Sequence, residues 1–325
     1  MSSLSSSHLF ALALACFFPI DAAIGQAFPS KPVTLIVTAA PGGNADVEAR
    51  RWIPKLTRIL GQPFLLDFKL GGGGTIGAGY VARSLADGHT LLAATGSFTT
   101  FPAFYSDLPF DTINDFSPIS FMSQRATVMM VSPSFPAQNF LEYVDYAKAN
   151  PGKINFATSG SGGVIHLAAA WLHSATNTRV TYIHYKGQAP ALTDLIAGRV
   201  DVATGPAPTA LSMMKAGRIR VLAIMGNRHS KVLPGIRNVA EQGIPEYDYS
   251  SWHGYLAPGN TPVAVVNKLA EAFALVAKDA ELVKLLDAEG VTLVGNSPSE
   301  FRQFIIADTN RWRKIVAENR IKSEE

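Results

Sequence analysis

The chain has 325 residues, 47% hydrophobic and 16% charged, enough for one large or two medium globular domains. A formal charge of +3, with no run of Lys or Arg and no aromatic-basic platform, argues against a nucleic-acid partner. A single cysteine, Cys16, excludes an internal disulfide.

Residues 1–27 read as a signal peptide: the apolar run HLFALALACFFPI leads to IGQA, with Gly25 and Ala27 as the small residues before a cut after Ala27. MSSLSSSH carries no Lys or Arg, so the positive end rests on the α-amino group alone. The run is well short of the ~20 residues a spanning helix needs. A lipoprotein reading of Cys16 lacks the small residue expected two positions earlier. Cleavage leaves no thiol for a nucleophile or metal ligand, and the periplasm is the expected location.

The stretch PVTLIVTAAPGGNADVEARRW, residues 32–52, reads as a buried strand, a glycine turn and a helix capped by Asp46, stopped by Gly61 and interrupted by Pro54. PFLLDFK is a second strand, LGGGG a second glycine loop and IGAGYVARSL a second helix. TLLAAT is a third strand, followed by GSFTTFPAFY as a loop. The plan then repeats with strands ATVMMVS, KINFAT, VTYIHY, VDVAT and IRVLAIM. NFLEYVDYAKA, VIHLAAAWLHSA, ALTDLIAG and PTALSMMKAG read as the helices between them. HGYLAP gives one more strand, and the remainder is mostly helical, with a capping box at Ser297 and Glu300. Such alternation predicts an α/β fold with a parallel sheet covered on both faces, in two lobes, ligands binding in the crevice beyond the strand ends.

Enzyme signatures fail one by one. PGGNADVE lacks the Lys and hydroxyl of a phosphate-binding P-loop. Gly72, Gly74 and Gly77 meet the dinucleotide glycine spacing, but no acidic residue follows about twenty positions on. Around Ser161 a nucleophile elbow fails because Ser159 replaces a glycine. The histidines at 89, 166, 173, 184, 229 and 253 are isolated, so no metal site or cofactor is expected. His166, just inside the helix after TSGSGG, is placed in the cleft. What remains is four glycine turns, APGGNAD, LGGGGTIG, TSGSGG and KGQAP, each leading into a helix whose first N–H groups attract an anion. Their number favours holding an anion over transforming it.

From FPSKPVTLIVTAAPGGNADVEAR through DGHTLLAAT, YSDLPFDTINDFSPIS, ANPGKINFATSGSGGVIHLAA, YKGQAPALTDLIAGRVDV, MKAGRIRVLAI and SSWHGYLAPGNTP to SPSEFRQFI, the chain resembles a known family. These are the TctC or Bug-type extracytoplasmic solute receptors of tripartite tricarboxylate transporters. The resemblance implies a type II periplasmic-binding-protein (Venus-flytrap) fold, two α/β lobes with a central cleft. Lobe 1 would comprise residues 28–129 plus 252–325, and lobe 2 residues 130–251. It implies a ligand that is a di- or tricarboxylate, an acidic amino acid or an aromatic acid. One carboxylate would be held by Pro41, Gly42, Gly43, Asn44 and Ala45, and by Thr158, Ser159, Gly160, Ser161, Gly162 and Gly163. Ser97 would join them and Asp46 would cap its helix; Gly74, in the second glycine turn, is a further candidate from the turn pattern itself. Ala45 and Gly163 stand where the family carries Thr, and Gly205-Pro206 where a polar residue is common. A less polar distal end is thus implied, with Phe98 and Trp252 either contacting the ligand or packing in the core.

The expected protein is a non-enzymatic, monomeric periplasmic receptor whose partners are a small organic carboxylate and the membrane subunits of such a transporter. A sensing module for a signalling partner such as a sensor kinase, or a hydrolase using Ser159 or Ser161, are the alternatives.

Overall fold

A computed structural model describes residues 28–226 and 229–321. The expected signal peptide, its cut after Ala27 and Cys16 lie outside the described residues.

Strand β1 (Val33–Val37) is almost wholly buried and pairs in parallel with β2 (Phe64–Phe68) and β3 (Thr90–Thr95). Helices α1 (Asn44–Leu60) and α2 (Thr75–Ala82) make the crossovers that parallel pairing requires. Gly61 ends α1 at φ +73°, its N–H on the Thr57 carbonyl. The helix runs through Pro54 without the expected interruption, its flanking Trp52 and Leu56 fully buried. GSFTTFPAFY is not a loop but holds α3 (Ser97–Phe104), despite Pro102 and two Thr. Packing overrides weak propensity here: Phe98 and Phe101 are buried and the Thr99 hydroxyl donates to Asp308 at 2.6 Å.

Strand β4 (Phe116–Val131) is longer than ATVMMVS suggests, beginning ten residues before Ala126. Then come α4 (Phe140–Ala149), β5 (Asn155–Thr158), α5 (Val164–Ala175), β6 (Thr181–His184), α6 (Gln188–Ile196), β7 (Val202–Pro206), α7 (Ala207–Lys215) and β8 (Arg220–Ile224). The chain returns through β9 (Ser250–Pro258), α8 (Val263–Ala277), α9 (Ala280–Ala288), the unforeseen short strand β10 (Val291–Leu293) and α10 (Pro298–Glu318).

The sheet order is β2-β1-β3-β9-β4-β7-β5-β6, with β8 and β10 also on β4. The expected all-parallel sheet is therefore corrected to a mixed one. β9 runs antiparallel to β3 and β4, and β4 antiparallel to β7 and β8. At about 3.3 Å per residue, β4 is long enough to serve both halves. Its residues up to Ala126 pair with β9 and β10, and those from Thr127 onward with β7 and β8. The two halves thus share one continuous strand.

Apolar clusters form on each half. Trp52, Phe273 and Leu286 pack around β1, and Phe156, Trp171 and Tyr247 around β5. Helix α10 belongs to both: Phe301 and Ile305 join the first half, Trp312 and Ile315 the second. Its start carries the expected capping box, Ser297 with Glu300.

Candidate ligand-binding cleft

Five helices, α1, α2, α3, α5 and α6, begin at one cavity of about 510 Å³. The residue before each is a glycine, respectively Gly43, Gly74, Gly96, Gly163 and Gly187, and none of these starts has a side-chain cap. Of the helices that do not line the cavity, α4, α9 and α10 are capped by Asn139, Asp279 and Ser297, while α7 and α8 follow Pro206 and Pro262 and have no side-chain cap. A helix leaves its first N–H groups without internal acceptors, and a capping side chain takes one of them. Glycine has no side chain to take them. The first N–H of α5 goes to Ser97 Oγ and that of α3 to Thr95 Oγ1, and those left over are donors for a group entering the cavity, with the positive end of the dipole behind them.

From the loop after β1, Gly43, Asn44 and Ala45 line the cavity, whereas Pro41 and Gly42 do not. Asp46 is not the N-cap: it sits inside α1 and reaches back, accepting from the Gly42 N–H at 2.8 Å and from Arg50 Nε at 2.7 Å. Gly71 to Gly74 all have positive φ, between +56° and +115°, a path only glycine follows readily. That path brings them onto the other half, where a Cβ on Gly73 would lie 2.7 Å from the Ser161 carbonyl.

The two halves are tied across the cleft. The Tyr105 hydroxyl donates to the Ser161 carbonyl at 2.7 Å, and the Val164 N–H to Ser97 Oγ at 3.1 Å. Thr100 Oγ1 lies 3.1 Å from the Gly162 carbonyl, and Asn44 Nδ2 donates to Gln188 Oε1 at 2.9 Å. Ser97, Ser159, Gly160, Ser161 and Gly74 line the same cavity, as grouped from the sequence.

Other expected residues lie elsewhere. Phe98 is 2% exposed, edge-on to Phe101 and Phe116. Trp252 stacks on Phe121 beside a separate pocket with Phe304 and Arg311. Gly205 is buried in β7, where a Cβ would meet the Met130 Cε at 2.5 Å. Thr158 is buried with its hydroxyl 2.6 Å from His184 Nδ1. Gly162, Gly163 and His166 stand one layer behind the lining: His166 Nδ1 accepts from the Gly162 N–H at 3.1 Å. Burial, then the neighbouring His184, takes the His166 pKa down to about 4, so it is neutral and braces the loop. With its Nδ1 so engaged, His166 is not a base for Ser161.

Several lining residues were not singled out from sequence. Lys186 and Gln188 belong to KGQAP, recognised only as a turn. Tyr105 follows α3, while Tyr249, Ser251 and His253 come from β9 and the residue before it, with no local motif to mark them. Among the described lining residues none is Asp or Glu, and Lys186 supplies a cation with no ion-pair partner among the described residues. Behind His253 lies a buried cluster. Glu48 pairs with Arg125, accepts from the Ser123 hydroxyl and is 3.0 Å from His253 Nδ1. Burial lowers Arg125 to about 10, still cationic at neutral pH, and burial with the Arg125 charge holds His253 well below the ordinary histidine value.

The sequence signature described as tripartite tricarboxylate transporter family receptor matches residues 49–321. The protein BugT of Bordetella pertussis is 30% identical over 297 residues, covering 91% of this chain and 91% of BugT. An R. palustris protein solved with adipate superposes with a TM-score of 0.86 at 30% identity, covering 91% of this chain and 99% of that one. MatC from Rhodopseudomonas palustris, solved with bound malate, gives 0.85 at 26% identity, over 89% and 100% of the respective chains. The fold is accordingly that of periplasmic binding proteins, α/β with a central cleft. The chain belongs to the TctC and Bug-type family of periplasmic solute-binding receptors.

Proposed function

We propose that this chain captures a small organic carboxylate in the cleft and delivers it, chemically unchanged, to the membrane subunits of a tripartite tricarboxylate-type transporter. One observation carries the reading: five helices with uncapped glycine starts open on a cavity lined by Lys186 and by no acidic residue among those described. A carboxylate is the small group that such donors suit and that the cavity's charge attracts. Each charge-assisted hydrogen bond contributes roughly 1.5–3 kcal/mol. Four or five leave about 8 kcal/mol after ordering and desolvation costs, which is micromolar binding. Adipate and malate in the two R. palustris structures support the same ligand class.

In this reading residues 28–129 plus 252–325 form one lobe and 130–251 the other, hinged at β4 and β9. Ligand favours the state in which the cross-cleft hydrogen bonds form, since only there do both sets of helix starts reach it.

A thermal-shift screen of di- and tricarboxylates, acidic amino acids and aromatic acids tests the proposal. Ligand at 100 times Kd adds about 2.7 kcal/mol of stability, and mass spectrometry should recover it intact. Stabilisation by neutral or cationic solutes alone, or recovery of a cleaved product, would refute it.

A further inference from the structure

The carboxylate reading leaves the rest of the ligand open, and the cluster behind His253 constrains it. Glu48 is 2% exposed and paired to the Arg125 guanidinium, so its carboxylate is an acceptor of hydrogen bonds. Its Oε2 receives the Ser123 hydroxyl and faces His253 Nδ1 at 3.0 Å. Two acceptors in contact repel, so Nδ1 carries the ring proton and donates it to Glu48. Burial and the Arg125 charge keep the imidazole neutral. A neutral imidazole with its proton on Nδ1 has a lone pair on Nε2. Nε2 has no partner among the described residues, and His253 lines the cavity. The arrangement parallels a metal-site histidine oriented by a carboxylate, with the second nitrogen unpartnered among the described residues.

We propose that His253 Nε2 accepts a hydrogen bond from a hydroxyl or amide N–H of the ligand, so that the receptor selects carboxylic acids carrying a neutral donor over unsubstituted ones. An ammonium fits less well. Lys186 already supplies a cation, no described lining residue is acidic, and Glu48 is committed to Arg125. A second carboxylate against Nε2 would set acceptor against acceptor. This selectivity rests on the carboxylate reading and adds to it a chemical class, the hydroxy and amido acids.

Isothermal titration of the protein with matched pairs tests it: succinate and malate, glutarate and 2-hydroxyglutarate, benzoate and hydroxybenzoate. In the best-binding series the hydroxylated member should bind at least tenfold tighter. His253→Phe should bring the two members within about twofold of each other while still binding both. Because that substitution strips Glu48 of a partner and can unfold the chain, ¹⁵N spectra of the unaltered protein's imidazoles provide a second reading. His253 should show a protonated Nδ1 and a bare Nε2 that shifts on adding the hydroxylated ligand. Equal affinities within every pair, a preference surviving in His253→Phe, or a protonated Nε2 overturns the inference while carboxylate binding stands. Absence of binding by any carboxylate overturns both.

Discussion

Replacing Gly162 with alanine separates cleft closure from folding. The residue has φ +68°, and a Cβ there would lie 2.3 Å from Phe104 Cδ1 and 2.6 Å from the Tyr105 hydroxyl. The left-handed backbone costs alanine roughly 1–2 kcal/mol wherever the loop keeps its shape, and so lowers stability in every state. The overlap differs, because Phe104 and Tyr105 lie in the other half and meet Gly162 only when the halves touch. Forced contacts of this kind cost about 1–3 kcal/mol. That rivals the cross-cleft hydrogen bonds from Tyr105 and to Ser97, each worth about 1 kcal/mol net. Carboxylate affinity should therefore fall roughly 5- to 150-fold at 1.4 kcal/mol per tenfold. Calorimetric titration beside thermal unfolding measures both terms. Adding Phe104→Ala should recover much of the affinity lost, and the double-mutant cycle corrects for any direct role of Phe104 in the cavity. An affinity unchanged within twofold, with the melting temperature alone lowered, would refute the argument.

Lys186→Gln removes the charged group among the described lining residues, and should weaken carboxylate binding about tenfold while flattening its salt dependence; an unaltered salt slope counts against it. His166 and His173 have pKa values lowered to about 4 and about 3, burial being the first cause in each, so between about pH 6.5 and those values only the unfolded chain takes up their protons. Stability is then full above about pH 6.5 and falls below it, by up to ~1.4 kcal/mol per pH unit per histidine, and a melting temperature flat from pH 6.5 to 5 would contradict this. Ser297→Ala removes a capping box remote from the cavity and should cost about 1 kcal/mol of stability with no change in affinity. Gly43→Ser should lower affinity as the new hydroxyl competes for the α1 N–H groups. Because its Cβ would lie 3.0 Å from the Ala40 carbonyl, the loop must shift to take it, at a cost of about 1 kcal/mol in stability.

Local chemistry explains what was legible in the sequence. Helix α5 occupies the stretch VIHLAAAWLHSA, because the glycines before it and its run of apolar residues leave no competing conformation. The Ser297 box is equally local. Helix α3 was opaque because Phe, Thr and Pro form helices poorly, and it holds together through contacts with α10 far along the chain. The first part of β4 was obscured by polar residues such as Ser117, Ser120 and Gln124, and by Pro118, where the pairing register shifts. The same limit governs the cleft. Its glycine loops announce themselves, but His253 reaches the cavity only because β9 pairs between β3 and β4, a fact no short window contains. Phe98 and Trp252 show the converse: their sequence neighbours line the cavity, yet each turns into the aromatic core, one of the two placements the sequence left open.

The placing of caps ties these observations together. Serine, threonine or aspartate before a helix stabilises it by occupying an orphan N–H, whereas glycine forgoes only a few tenths of a kcal/mol and leaves that donor open. Packing alone would give no reason for the side-chain caps of α4, α9 and α10 to lie away from the cavity while all five helices that start on it follow glycine. A requirement for free donors gives one. Departures from local rules cluster at functional sites because the compensating interaction arrives from outside the chain. In the proposed function the compensation is an anion, and the stability forgone at the uncapped starts would return when it binds.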